Sequence, residues 1–325
     1  MLLVTVGPNV IKGDVVKKLD EFEDIVFRIA SSKAPPLETL SKIRANLSDN
    51  SHIIVDFPGG KHRLNNPSGY EVKKGEVYSI QKSEKTYDFD GTFALYPKLD
   101  AVLEKDDIIV AGDGETAFKV IGDYENETKV EVLRTSGLAL RTGMTLQKGD
   151  FNNVTLTDLD YENMECLREP MIKGVMLSFV ESAKDVNDIR NFIKQKYSRD
   201  IEIYSKIETE KGINNAVEIA EASDYVVLAR GDLLVQLGEE KFPIYQEKFL
   251  NDLKKYSDKV IVGTEMAESF SKGYFLSRAE LSFLYYLARM GYKNILLVRE
   301  TTKMSDPVEV AKKVSSLMEY YLNFK

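Results

Sequence analysis

EIYSKIE, from Glu202 to Glu208, is a run of strand-forming residues that ends in a carboxylate, and DYVVLARGD, from Asp224 to Asp232, repeats that arrangement one helix later. Lys206 stands two residues before the first of these acids. A lysine and two carboxylates delivered from the C-terminal ends of neighbouring strands can hold a divalent metal and steady a migrating negative charge. Phosphoryl and enolate chemistry both require this. Glu208 or Asp232 taken alone would also serve as an ordinary cap of the helix that follows it. The two acids together with Lys206 make the site reading the stronger one.

Outward from these two runs the same unit recurs. LLVTV (2–6), IVFRIA (25–30), HIIVDF (52–57), GVMLSFV (174–180), VIVGTEM (260–266) and NILLVRE (294–300) bring the strand-like runs to eight. Connecting segments such as AKDVNDIRNFIKQKY, RAELSFLYYLARM and PVEVAKKVSSLMEYYL carry apolar residues near i, i+3, i+4 spacing and read as helices. Eight alternating strand–helix units predict an α/β fold of the TIM (β/α)8 barrel type. The alternation breaks once, between about Asn66 and Asn153, where GEVYSI, TFALYP, DDIIVAGDG, TAFKVIGDY and TKVEVLR predict a small all-β domain inserted after the third strand. The expected division is barrel over 1–65, inserted lid over 66–154, and barrel again over 155–325, with no C-terminal α/β domain.

Composition narrows the function. With 325 residues, 43% hydrophobic and 30% charged, the chain can bury a large core and is not of disordered type. A net charge of −8, with Lys and Arg scattered among acids, argues against a nucleic-acid surface. The single cysteine, Cys166, excludes an internal disulfide and argues against thiolate-ligated zinc. No apolar run approaches a membrane span or a secretory leader, so a cytoplasmic location is expected. His52 and His62 read as solvent-facing residues flanking the third strand. AGDGE (111–115) lacks the third glycine and the following helix of a dinucleotide motif, and reads as a hairpin.

The strand ends themselves are polar: Arg28, Asp56, Lys206, Glu208, Gly231, Asp232, Thr264, Glu265 and Glu300. YSKIETEKG (204–212), ARGDL (229–233), GTEMAES (263–269), SRAE (277–280) and RETTKMSDP (299–307), taken in order, resemble pyruvate kinases. VTVGP (4–8), FRIASSK (27–33) and DFPGGKHR (56–63) are similar to that family's first three strand ends, and DDIIVAGDG (106–114) and GMTLQKG (143–149) match its inserted domain more loosely.

The resemblance implies transfer of a phosphoryl group between phosphoenolpyruvate and ADP, giving pyruvate and ATP. It assigns Lys206 and Arg28 to the migrating phosphoryl, Glu208 and Asp232 to a Mg2+ or Mn2+ ion, and the Gly231 and Asp232 amides to the substrate carboxylate. Thr264 falls beside the methylene carbon that is protonated, and Arg63, Lys33 and Asp56 fall on the nucleotide side. Where potassium-dependent members hold their monovalent cation, this chain has Ala30, Ser32, Asp56 and Phe57, and Lys61 replaces the usual Glu. That pattern resembles members in which a tethered ammonium, here Lys61 with Ser32 and Asp56, replaces potassium. The expectation is therefore activity without K+, in a monomer or homodimer. Pro58, Glu265, Leu234 and Arg299 also depart from the family pattern. Two other readings share these residues: a Mg-dependent keto-acid enolate lyase on the same barrel, and a weakly catalytic relative that binds phosphoenolpyruvate or another metabolite.

Overall fold

The computed structural model describes residues 1–67, 69–83, 85–99, 101–147 and 156–324. The chain divides into two compact units, one of Met1–Pro58, Thr155–Arg230 and Tyr245–Lys325, the other of Gly59–Val154 and Gly231–Ile244. The boundary expected at 154–155 lies outside the described residues, as do the last two residues of GMTLQKG.

In the first unit eight parallel strands close into a barrel: β1 Leu2–Thr5, β2 Ile25–Ala30, β3 His52–Phe57, β4 Ile172–Leu177, β5 Glu202–Ile207, β6 Tyr225–Ala229, β7 Val260–Gly263 and β8 Asn294–Leu297. They follow one another round the ring in chain order and β8 pairs with β1, so the barrel expected from the alternating pattern is the one that forms. The strands read as near-continuous apolar runs because side chains inside the ring and helices outside it bury both faces.

One side chain from each strand fills the interior: Leu3, Val26, Ile54, Met176, Tyr204, Val227, Ile261 and Leu296, none more than 4% exposed. Burying an apolar side chain of this size contributes about 1.5–3 kcal/mol. Side chains alternate faces with a period of two along a strand, so the residues two further on form the next inward layer. That layer is Thr5, Arg28, Asp56, Ser178, Lys206, Ala229, Gly263 and Val298. The interior therefore turns from apolar to charged within one layer, at its C-terminal end.

The helices around the barrel start and stop on local signals. Ala183–Tyr197 begins at a capping box in which Ser182 and Asp185 each accept from the other's amide, and Arg278–Met290 begins at the same device built from Ser277 and Glu280. The latter helix ends at Gly291, whose φ of 94° is left-handed. Among the described residues no helix is long and apolar enough to cross a membrane.

The second unit holds a six-stranded sheet in the order Met144–Leu146, Ile108–Ala111, Thr116–Asp123, Glu127–Thr135, Val77–Gln81, Thr92–Phe93. A two-stranded piece pairs Arg63–Leu64 with Leu95–Tyr96. Its core alternates along the strands, with Phe118, Val120, Val130 and Val132 packed beside Ile80, Phe93 and Met144. AGDGE is a hairpin turn, with Gly112 at φ 71° and Gly114 at φ 108°, angles that glycine adopts without strain.

Candidate active site

The charged layer of the barrel is a chain of alternating signs. Arg28, 9% exposed, donates from Nε to Asp56 Oδ2 at 3.1 Å and from Nη2 to the same oxygen. Its third contact runs from Nη1 to Thr5 Oγ1 at 2.7 Å, and Thr5 in turn donates to the Leu297 carbonyl. Lys206 Nζ lies 3.2 Å from Asp56 Oδ1 and 3.5 Å from Glu208 Oε1. Asp56 Oδ1 is buried, and the Lys206 ammonium 3.2 Å away is the opposite charge beside it. Arg28, Asp56 and Lys206 face inward because each stands two residues beyond a residue of the apolar plug, and Glu208 stands two beyond Lys206. Four strong charges therefore share a space where screening by water is weak, and the alternation of sign is what makes it tolerable.

Burial pushes the Asp56 carboxyl up, but the charges of Arg28 and Lys206 and their hydrogen bonds outweigh it and hold it below its ordinary value. Asp56 is thus a fixed anion that orients two cations. Its carbonyl is held as well, by the amide and the hydroxyl of Ser31 at 3.0 and 2.9 Å. Ser31 is buried, whereas Ser32, chosen from the sequence, is only half-buried and Lys33 is exposed.

Glu208, 3% exposed, accepts at Oε2 from the Phe179 amide at 2.8 Å. Phe179 has φ 53°, a left-handed conformation costing a non-glycine residue about 1–2 kcal/mol. Thr264 and Glu265, just past β7, share that conformation at φ 72° and 53°. Backbone strain of this kind gathers at functional turns. Thr264 is half-buried and Glu265 exposed. Glu300, fully buried, accepts from the amides of Met266 at 2.8 Å, Ala267 at 3.2 Å and Val298 at 2.9 Å.

In the second unit the Lys61 ammonium forms an ion pair with Asp232 Oδ1, and Thr145 Oγ1 lies 3.5 Å from the same oxygen. Lys61 runs across Gly143, where a Cβ would meet its Cε at 2.3 Å. Asp232 and Gly231 lie in the first turn of the helix that starts at Arg230 and breaks at Gly238, whose φ is 74°. The residue before that helix, Ala229, supplies no side-chain cap. Arg63 donates from Nη1 to the Arg141 carbonyl at 3.2 Å.

One histidine differs from its sequence reading. His62 is buried, not solvent-facing, with Nδ1 2.8 Å from the Pro97 carbonyl. His52 is partly exposed and pairs with Glu202. Phe57, at a position where a cation ligand would stand, is fully buried and apolar, and its carbonyl accepts from Ser178. The Cys166 thiol is buried and pushed up to about 12, which leaves it unreactive. Sequence reasoning gave no role to Thr5, Ser31 or Arg230. For Thr5 a signal existed, since it stands two residues past Leu3 in an inward register. For Ser31 and Arg230 it did not.

Among the described residues no three His, Cys, Asp or Glu side chains gather into a metal cage. The available donors are carboxylate oxygens, hard ligands in small number. That set suits a Mg2+-like ion, which keeps several waters and takes one or two carboxylates plus substrate oxygens.

The family model described as the pyruvate kinase barrel domain matches residues 1–311. The pyruvate kinase of Thermotoga maritima is 29% identical over 328 residues, covering 97% of this chain and 69% of that protein. That of Pyrobaculum aerophilum is 28% identical, covering 97% and 70%. The crystal structure of Cryptosporidium parvum pyruvate kinase superposes with a TM-score of 0.87 at 22% identity, covering 99% of this chain and 71% of that one. A structure of Cryptosporidium parvum pyruvate kinase in complex with ADP superposes with a TM-score of 0.86 at 23% identity, covering 99% of this chain and 68% of that one.

Proposed function

The chain belongs to the pyruvate kinase family, a family of phosphotransferases, and from that membership we propose that it converts phosphoenolpyruvate and ADP to pyruvate and ATP. The P–O bond to the enol oxygen breaks, a P–O bond forms to the terminal phosphate of ADP, and the enolate left behind takes a proton on its methylene carbon. The observation that carries this reading is the run of alternating buried charges Arg28, Asp56, Lys206 and Glu208 above the apolar plug. Fixed cations in a poorly hydrated site stabilise a phosphoryl group in transit without reorganising, which is most of what this chemistry asks of a protein.

In this reading Lys206 and Arg28 stabilise the phosphoryl group, and Asp56 orients both. Thr264 serves the proton transfer. The Gly231 and Asp232 amides receive the substrate carboxylate, and Arg63 and Lys33 act on the nucleotide side. Glu208 is the barrel's ligand for Mg2+ or Mn2+, and Asp232 is the second carboxylate. When bound, a divalent ion would supply positive charge to the substrate. Lys61 acts as a resident monovalent cation, a role supported by its ion pair with Asp232. A glycolytic enzyme of this kind works in the cytoplasm.

A coupled assay tests the reaction: wild type forms pyruvate with Mg2+, and Lys206→Met loses about 10²–10³-fold in kcat. Wild-type protein that makes no pyruvate would overturn the proposal. For the cation, potassium is expected to leave wild type unchanged and to stimulate Lys61→Glu. Stimulation of the wild type would remove Lys61 from that role.

A further inference from the structure

We infer that Arg230 and Glu300 are positioning residues that clamp the Thr264–Ala267 turn from two sides and so fix where the Thr264 hydroxyl stands. This rests on the proposed pyruvate kinase reaction for its consequence, though not for its geometry. The turn follows β7 and holds two successive non-glycine residues in the left-handed region, Thr264 at φ 72° and Glu265 at φ 53°. Neither residue prefers that conformation, so contacts outside the turn must impose it.

Arg230 supplies one side of the clamp. Its Nη1 donates to the Thr264 carbonyl at 3.0 Å and approaches Met266 Sδ at 3.5 Å. The guanidinium lies 4.3 Å from the centre of the Phe283 ring, which fixes its plane. Among the described residues no carboxylate forms an ion pair with it, and its buried Nε makes no hydrogen bond. The charges of Glu265 and Glu300 act on it from farther off. Arg230 spends its directed contacts on a single turn.

Glu300 supplies the other side. One carboxylate oxygen accepts from the amides of both Met266 and Ala267, while the second accepts from the Val298 amide. The acid thus ties the turn after β7 to the end of β8 by three bonds made at zero exposure. A glutamine cannot reproduce them, since whichever end carries the NH2 group meets an N–H donor.

Three measurements on the intact chain decide the matter: steady-state turnover, exchange of the pyruvate methyl hydrogens with deuterated solvent, and protection of the Met266, Ala267 and Val298 amides. Arg230→Met keeps the stem over Phe283 but removes the donor. It is expected to lower kcat and methyl exchange together by about 100-fold, with the KM for phosphoenolpyruvate changed less than about threefold. Glu300→Gln is expected to lower both by about tenfold and to lose protection at one or more of the three amides. Arg230→Lys, which keeps charge but not the fork, is expected to recover little. Full protection and wild-type exchange in a folded Glu300→Gln or Arg230→Met protein would overturn the clamp. Loss of protection in these variants beside a wild type that neither transfers nor exchanges would uphold the clamp and overturn the reaction.

Discussion

Both ends of the barrel carry charge. At the C-terminal end Arg28, Asp56, Lys206 and Glu208 have side chains 3–11% exposed. At the N-terminal end His52 pairs with Glu202 at 2.8 Å and Arg190 with Asp224 at 2.9 Å, all 29–39% exposed. The plug contributed by eight strands divides them. Water screens the N-terminal pairs, so they hold strand starts in place and do little else. The C-terminal charges are shut away from solvent and bordered by three residues in left-handed conformations, Phe179, Thr264 and Glu265. Charge alone marks no site; charge with burial and imposed backbone geometry does.

The contrast is sharpest when one partner is removed from each end. Arg28→Met leaves Asp56 buried with Lys206 alone and is expected to destabilise the fold by about 3–5 kcal/mol in urea unfolding, besides removing turnover. A loss below about 1 kcal/mol would place that layer in the same class as the surface pairs.

A second effect is read through pH. The folded-state pKa of Asp56 lies below its ordinary value of 3.8, so its ionisation contributes stability that is present above that value and lost as pH falls toward the folded one. The stability difference between wild type and Asp56→Asn is therefore widest near neutrality and narrows below about pH 4. A difference constant from pH 7 to pH 3 would contradict the assignment.

The smallest effects belong to the N-terminal end. Glu202 is pushed up by burial, yet its hydrogen bonds with His52 and Tyr204 hold it below its ordinary value. With that much exposure, His52→Ala is expected to cost under about 1 kcal/mol in urea unfolding and to leave kcat unchanged. A large change in turnover would show that the plug does not insulate the two ends.

Much of this was legible in sequence because barrel strands obey a period of two. Eight apolar runs gave the ring, and the polar residues at their ends gave Arg28, Asp56, Lys206, Glu208 and Glu300. Only the closed ring decides who faces whom. Arg28 and Asp56 are 28 residues apart in the chain, and Lys206 is 150 further on, so no local pattern reveals that one carboxylate orders two cations. The bonds of Ser31 to the Asp56 carbonyl, the burial of His62, and the grip of Arg230 and Glu300 on one turn depend likewise on distant backbone groups. Hydrophobic periodicity is written residue by residue, since each side chain must answer to the face it occupies. Hydrogen-bond partners and buried charge pairs exist only once the chain has closed, because it is closure that excludes water and brings distant strand ends together.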